Sequence, residues 1–193
     1  LGLNLSEPVL LVTQHPVTLR TDALRDPAFD IAEVLRAVED TGLPAVITYP
    51  NSDAGGRAII DYINEFKARY SKAVVRVNLG TKLYLGLIRH AAALVGNSSS
   101  GILEAPSFKI ATVNIGDRQK NRIQSKTVIN CKPEKNGILK AIRKIYSNKF
   151  QKIILKAINP YDPRKKILPS KTAVKVFKKA ALGNILKKSF KDL

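Results

Sequence analysis

Neither methionine nor tryptophan occurs in the 193 residues, cysteine appears once, at Cys131, and histidine twice, at His15 and His90. A single cysteine excludes a disulfide framework and a cysteine-based zinc site, and it fits a reducing compartment, so a cytoplasmic location is expected. Aromatic residues reach only 6%, few for a chain that would stack nucleic-acid bases on its surface. No apolar run approaches the ~18 residues of a membrane span, and no charged-then-apolar signal peptide opens the chain. No membrane partner, metal or cofactor is expected. The missing methionine extends to position 1, and a strand-like run begins almost at once, at Val9. This reads as a chain whose beginning is missing.

Acidic residues are scarce as well: 15 against 33 basic ones, a formal net charge of +18. The imbalance is local. Residues 1–100 hold 10 basic and 10 acidic residues, and residues 101–193 hold 23 and 5, so the whole excess lies in the second half. Much of it follows helical spacing, as in Lys171, Lys175, Lys178 and Lys179 opposite Val174, Phe177 and Ala181. That is the pattern of an amphipathic helix with a solvated lysine face, and no specific nucleic-acid partner is expected.

What is present is ordinary globular composition, 45% apolar and 25% charged, arranged as short β-branched runs alternating with helix-length amphipathic stretches. Strands are expected at Val9–Thr13, Ala45–Tyr49, Ala73–Asn78, Ala93–Val95, Ile110–Ile115 and Thr127–Asn130. Helices are expected around Ile31–Val38 (ending at Gly42), at Gly56–Tyr70, at Leu83–Ala91, briefly after Gly101, at Ile138–Tyr146, and at Thr172–Phe190 with a break near Gly183-Asn184. Nearly all-apolar strands in this alternation argue for an α/β, Rossmann-like parallel sheet with helices on both faces. The chain is read as one domain over residues 1–193, its last helices starting near residue 170.

The unusual polar and glycine residues cluster after strands. Gln14-His15-Pro16 follows the first, Asn51 to Gly56 the second, Gly96 to Gly101 the fourth, and Gly116 to Gln119 the fifth. In open α/β sheets ligands bind at the carboxyl edge, at the topological switch point. The run Ser98-Ser99-Ser100-Gly101 offers hydroxyls, close backbone approach and the free N–H groups and dipole of a helix start, which suits phosphate. One serine would serve as a plain N-cap; three exceed that need. Two readings stand for each of the others. Glu104 accepts from sugar hydroxyls or complements the first helical turn, and Asp53 caps a helix or lines the cleft. His15 is structural or an acid/base, and Arg118 and Arg122 are diphosphate forks or solvated charge.

The segments Leu11–Thr18, Tyr49–Gly56, Leu94–Ile102 and Val113–Gln119 together resemble the hydrolysing UDP-N-acetylglucosamine 2-epimerases, especially those of bacterial sialic-acid and related nonulosonic-acid synthesis. The resemblance runs from about residue 9 to the C-terminus. It implies the C-terminal half of a two-domain glycosyltransferase-B-like fold, with a UDP-sugar substrate bound against a missing N-terminal Rossmann-like domain. It further implies elimination of UDP to a glycal-type intermediate, then hydration to N-acetylmannosamine. By motif, Ser98, Ser99, Ser100 and Gly101 would hold the diphosphate, Glu104 the ribose, and Arg118 the diphosphate or sugar. Asp53 would line the cleft and His15 would lie by the reacting sugar, the acid/base carboxylates coming from the missing half. Three positions depart from the family pattern: Leu103 replaces an arginine, Asn121 a glycine, and Asp162-Pro163-Arg164 a Gly-Asp-Gly type turn. Two rivals share the fold or the charge: the donor-binding half of a glycosyltransferase, and a basic polyanion-binding module. Self-association is left open.

Overall fold

Leu10 and Val12 turn to one side of their strand and Val9 and Leu11 to the other, and all four are fully or almost fully buried. Such two-sided burial is what a parallel sheet with helices on both faces demands. The computed structural model describes residues 2, 4, 6–18, 26, 28–162 and 168–180. Residues 1–160 and 161–193 form separate compact units.

The first unit carries six strands, β1 (Leu10–Thr13), β2 (Ala45–Thr48), β3 (Ala73–Arg76), β4 (Ala93–Gly96), β5 (Ala111–Ile115) and β6 (Val128–Cys131). They form one parallel sheet in the order β3-β2-β1-β4-β5-β6. The helices are α1 (Phe29–Thr41), α2 (Gly56–Arg69), α3 (Gly80–His90), α4 (Ser100–Leu103), α5 (Lys135–Ile145) and α6 (Asn148–Lys156), with a 3-10 turn at Ala105–Phe108. One face of the sheet is covered by α1, α2, α5 and α6 through Ile31, Val34, Ile63, Phe66, Ile138 and Ile154. The other is covered by α3 and the 3-10 turn through Leu87, Ile88 and Ala105. Strand order reverses between β1 and β4, so the ligand-binding crevice of such a fold opens between their carboxyl ends.

The second unit has one described helix, α7 (Pro169–Lys179), with proline in its first turn, where its missing N–H costs nothing. It starts three residues earlier than the expected Thr172 and ends before Gly183-Asn184. That break, and the rest of the expected helix to Phe190, lie outside the described residues.

Sequence patterning missed α6. Its start is nonetheless local: the Ser147 hydroxyl accepts from the Phe150 N–H at 3.3 Å, and Phe150 and Ile154 fall one turn apart into the core. Helix α3 begins at Gly80, three residues before the expected Leu83, because Asn78 Oδ1 accepts from the Gly80 N–H at 2.6 Å and turns the chain there.

Candidate functional site

The sheet register brings Thr13, Thr48 and Gly96 side by side at the carboxyl edge. The Thr13 and Thr48 hydroxyls share a hydrogen bond of 2.6 Å. At Gly96 the backbone takes φ 133, and a Cβ there would stand 2.0 Å from the Thr13 carbonyl oxygen. Only glycine lets the end of β4 come this close to β1.

Past these strand ends an open cleft of about 390 Å³ is lined by residues that include Thr13, His15, Asn51, Ser98, Ser100 and Glu104, together with Val77, Leu79, Gly80 and Tyr84. His15 is half-buried. Its Nδ1 accepts the Asn51 N–H at 3.0 Å, so the proton of the neutral ring resides on Nε2. Burial, and after it the Arg118 charge, hold His15 below the usual 6.5, with Asp53 pulling the other way. His15, Asp53 and Arg118 are thus electrostatic neighbours, although their loops follow three different strands.

Within the serine loop, Ser100 donates its hydroxyl to Glu104 Oε2, and the Ser98 hydroxyl accepts the Ser100 N–H at 3.4 Å. The N–H groups of Ser98 and Ser99 have no protein acceptor among the described residues. Helix α4 is only four residues long, so this loop presents free donors, and the dipole expected from sequence is that of a single turn. Gly101 is buried against the sheet: its N–H donates to the Ser98 carbonyl at 3.2 Å, and its carbonyl accepts the Thr112 hydroxyl at 2.8 Å. A Cβ on Gly101 would stand 2.4 Å from Thr112 Cγ2, so the residue is small for helix–strand packing.

Asp53 is not the N-cap of α2; Gly55, at φ 89, occupies that position. The Asp53 carboxylate is exposed and accepts from Asn51 Nδ2 at 2.6 Å. Arg118 is half-buried, with Nη1 donating to the Asn97 carbonyl at 3.3 Å. Arg122 is exposed. Asn121 has φ 66, a region that asparagine tolerates better than most residues. At the first departure, the Leu103 carbonyl accepts from Asn159 Nδ2 at 2.8 Å. Of the third, only Asp162 lies among the described residues.

Two contributions escaped the sequence reading. The loop Asn78-Leu79-Gly80-Thr81 after β3 walls the cleft. Its signal, a polar residue and a glycine between a strand and a helix, matches the four loops that were recognised. Asn97 was part of a recognised motif but had no role. It is fully buried and bonds to the backbone of His15, Thr13 and, through its own carbonyl, to Arg118 and Gln119. Among the described residues no group of three or more His, Cys, Asp or Glu side chains could hold a metal ion. Burial pushes the Cys131 thiol up to about 11, so it is no ready nucleophile.

A doubly wound parallel sheet with a donor-lined cleft at its switch point defines a Rossmann-like ligand-binding domain, here the C-terminal half of a glycosyltransferase-B-like architecture. The chain belongs to the UDP-N-acetylglucosamine 2-epimerase family, whose profile matches residues 3–166. It is 34% identical over 194 residues to the GDP/UDP-N,N'-diacetylbacillosamine 2-epimerase (hydrolyzing) of Campylobacter jejuni, covering 100% of this chain and 49% of that protein. It is 31% identical over 181 residues to the polysialic acid biosynthesis protein P7 of Escherichia coli, covering 92% of this chain and 45% of that one. The crystal structure of a UDP-GlcNAc 2-epimerase from Neisseria meningitidis bound to UDP-GlcNAc shares the fold at a TM-score of 0.71, with 15% identity, over 92% of this chain and 46% of that one. The chain thus spans about half the length of the curated relatives it matches. No described helix is long and apolar enough to cross a membrane.

Proposed function

We propose that the full-length protein is a hydrolysing UDP-N-acetylglucosamine 2-epimerase of the sialic-acid or related nonulosonic-acid type, acting in the cytoplasm, and that this chain supplies the half that holds UDP. The observation that carries the reading is the single cleft onto which His15, Ser98, Ser100 and Glu104 open, with the Arg118 side chain bonded to the loop beside it. A diphosphate needs several donors and positive charge. The free N–H groups of Ser98 and Ser99, the hydroxyls of Ser98 and Ser99, the Nε2–H of His15 and the Arg118 guanidinium supply them, and the Ser100 hydroxyl joins them on turning away from Glu104. Gly101 serves that loop by packing it tightly on the sheet. Glu104 accepts from the vicinal ribose hydroxyls, while Leu79 and Tyr84 offer a flat base an apolar wall. Asp53 stays at the cleft rim, where its charge tunes His15.

In the reaction, a base removes the proton from sugar C2 as the C1–O bond breaks and its electron pair leaves with UDP. Water then adds at C1 of the glycal-type intermediate, and C2 is reprotonated from the opposite face. Both steps need acid/base groups that His15 alone cannot provide, so the carboxylates belong to the other half and this chain alone turns over nothing. The names of the relatives, which refer to hydrolysing 2-epimerisation and polysialic acid biosynthesis, support the reading. Full-length protein incubated with UDP-N-acetylglucosamine in D2O is expected to release UDP and N-acetylmannosamine deuterated at C2, seen by proton NMR. Transfer of the sugar to an acceptor without hydrolysis would replace this reading with a glycosyltransferase, and turnover by this chain alone would remove the claim that the other half supplies the catalysts.

A further inference from the structure

We infer that Asn97 is a positioning residue, whose amide and carbonyl bind the loops after β1, β4 and β5 into one anion-binding unit and set the direction of the His15 ring. The inference rests on the nucleotide-sugar reading above and adds to it a residue that is fully buried and is not part of the cleft lining.

Asn97 Oδ1 accepts the His15 N–H at 2.7 Å, and Asn97 Nδ2 donates to the His15 carbonyl at 2.8 Å. One such bond would leave the His15 backbone free to swing; the pair closes a ring and fixes it. With the backbone fixed, Nδ1 meets the Asn51 N–H at 3.0 Å, and a single tautomer follows, with Nε2–H as the donor. The Asn97 carbonyl serves the third loop, accepting from Gln119 Nε2 at 2.8 Å and Arg118 Nη1 at 3.3 Å. Gly96 makes the clamp reachable by allowing the close approach of β4 to β1.

No other side chain meets these demands. Alanine leaves the His15 N–H and carbonyl without their partners, at the cost of buried unpaired polar groups. Aspartate has the same shape but two acceptor oxygens, so it cannot donate to the His15 carbonyl and confronts it with negative charge.

The test uses the chain and its N97A and N97D variants, with nitrogen-15 NMR of the imidazole rings, UDP calorimetry and a melting curve. In the parent chain the two His15 ring-nitrogen shifts are expected far apart, as in a single tautomer. In a folded variant they are expected to converge, and the UDP dissociation constant to rise by at least roughly tenfold, the scale of a small misplacement of binding groups. N97D conserves volume and serves if N97A fails to fold. Variants that keep separated shifts overturn the inference, even if affinity falls, because the loss would then be general loosening. Converged shifts with affinity within roughly twofold of the parent overturn the claim that the clamp builds the anion site. Mixed tautomers in the parent chain overturn it directly. No UDP binding by the parent chain would instead overturn the nucleotide-sugar reading, and the ring-nitrogen shifts would still decide the role of Asn97.

Discussion

His15 shows how one side chain integrates its surroundings. Burial and Arg118 hold it below 6.5 and Asp53 opposes them, so the ring is neutral at pH 7 and acts as a donor through Nε2. The pH dependence follows. Above 6.5 the ring is neutral both folded and unfolded, and His15 leaves stability unchanged. As pH falls below 6.5 the unfolded chain takes up the proton first, so stability declines until the folded ring is protonated too. A bound diphosphate opposes this shift, since negative charge favours the imidazolium. The His15 midpoint by proton NMR is therefore expected below 6.5 in the free chain and higher with UDP, and UDP affinity is expected to grow as pH falls through that range. A midpoint unmoved by saturating UDP would mean that no phosphate binds near the ring. At this scale the sequence was informative about identity and silent about state. His15 was legible as a candidate from its place after a strand, but its tautomer comes from Asn51, 36 residues away, and no local pattern encodes that pairing.

At the scale of elements, the contact of α4 with β5 is a tight constraint near the site. Gly101→Ala would drive a methyl to 2.4 Å from Thr112 Cγ2. The expected cost is about 1–3 kcal/mol, as for other insertions into packed interiors. Adding Thr112→Ser removes Cγ2 while keeping a hydroxyl for the Gly101 carbonyl, and part of the loss is expected back. Thermal melts of the single and double variants decide it; a double variant no more stable than Gly101→Ala would show that the clash lies elsewhere. Strand positions were readable from composition, because β1, β2, β4 and β5 are buried on both faces and so are mostly apolar. Helix α6 was not, since its apolar residues, Phe150, Ile153 and Ile154, follow the basic end of α5 closely and only the Ser147 cap separates the two. The β3–α3 loop was passed over for a different reason: Val77 and Asn78 read as a continuation of the strand, which in the fold ends at Arg76.

For the whole molecule, much of the net charge of +18 lies, among the described residues, on helix faces outside the cleft. Lys140, Arg143 and Lys144 on α5 and Lys149, Lys152 and Lys156 on α6 are exposed. Binding of duplex DNA at low salt is expected to vanish by about 0.2 M salt, since non-specific phosphate contacts lose affinity steeply with ionic strength. UDP affinity is expected to fall far less, because many of its donors are neutral hydroxyl and N–H groups. A DNA affinity that persists at 0.2 M salt in a filter-binding assay would revive the polyanion-binding reading. The sequence by itself determined the order of the strands and of most helices along the chain, four of the rim loops and the family, because apolar runs, glycines and small hydroxyl residues declare themselves within a few positions. Only the tertiary structure decided the geometry of the candidate site. His15 and Asn97 are 82 residues apart in the chain. They meet because β4 pairs with β1 in register and Gly96 lets the two strand ends touch, a condition set by sheet order that no local stretch of sequence contains.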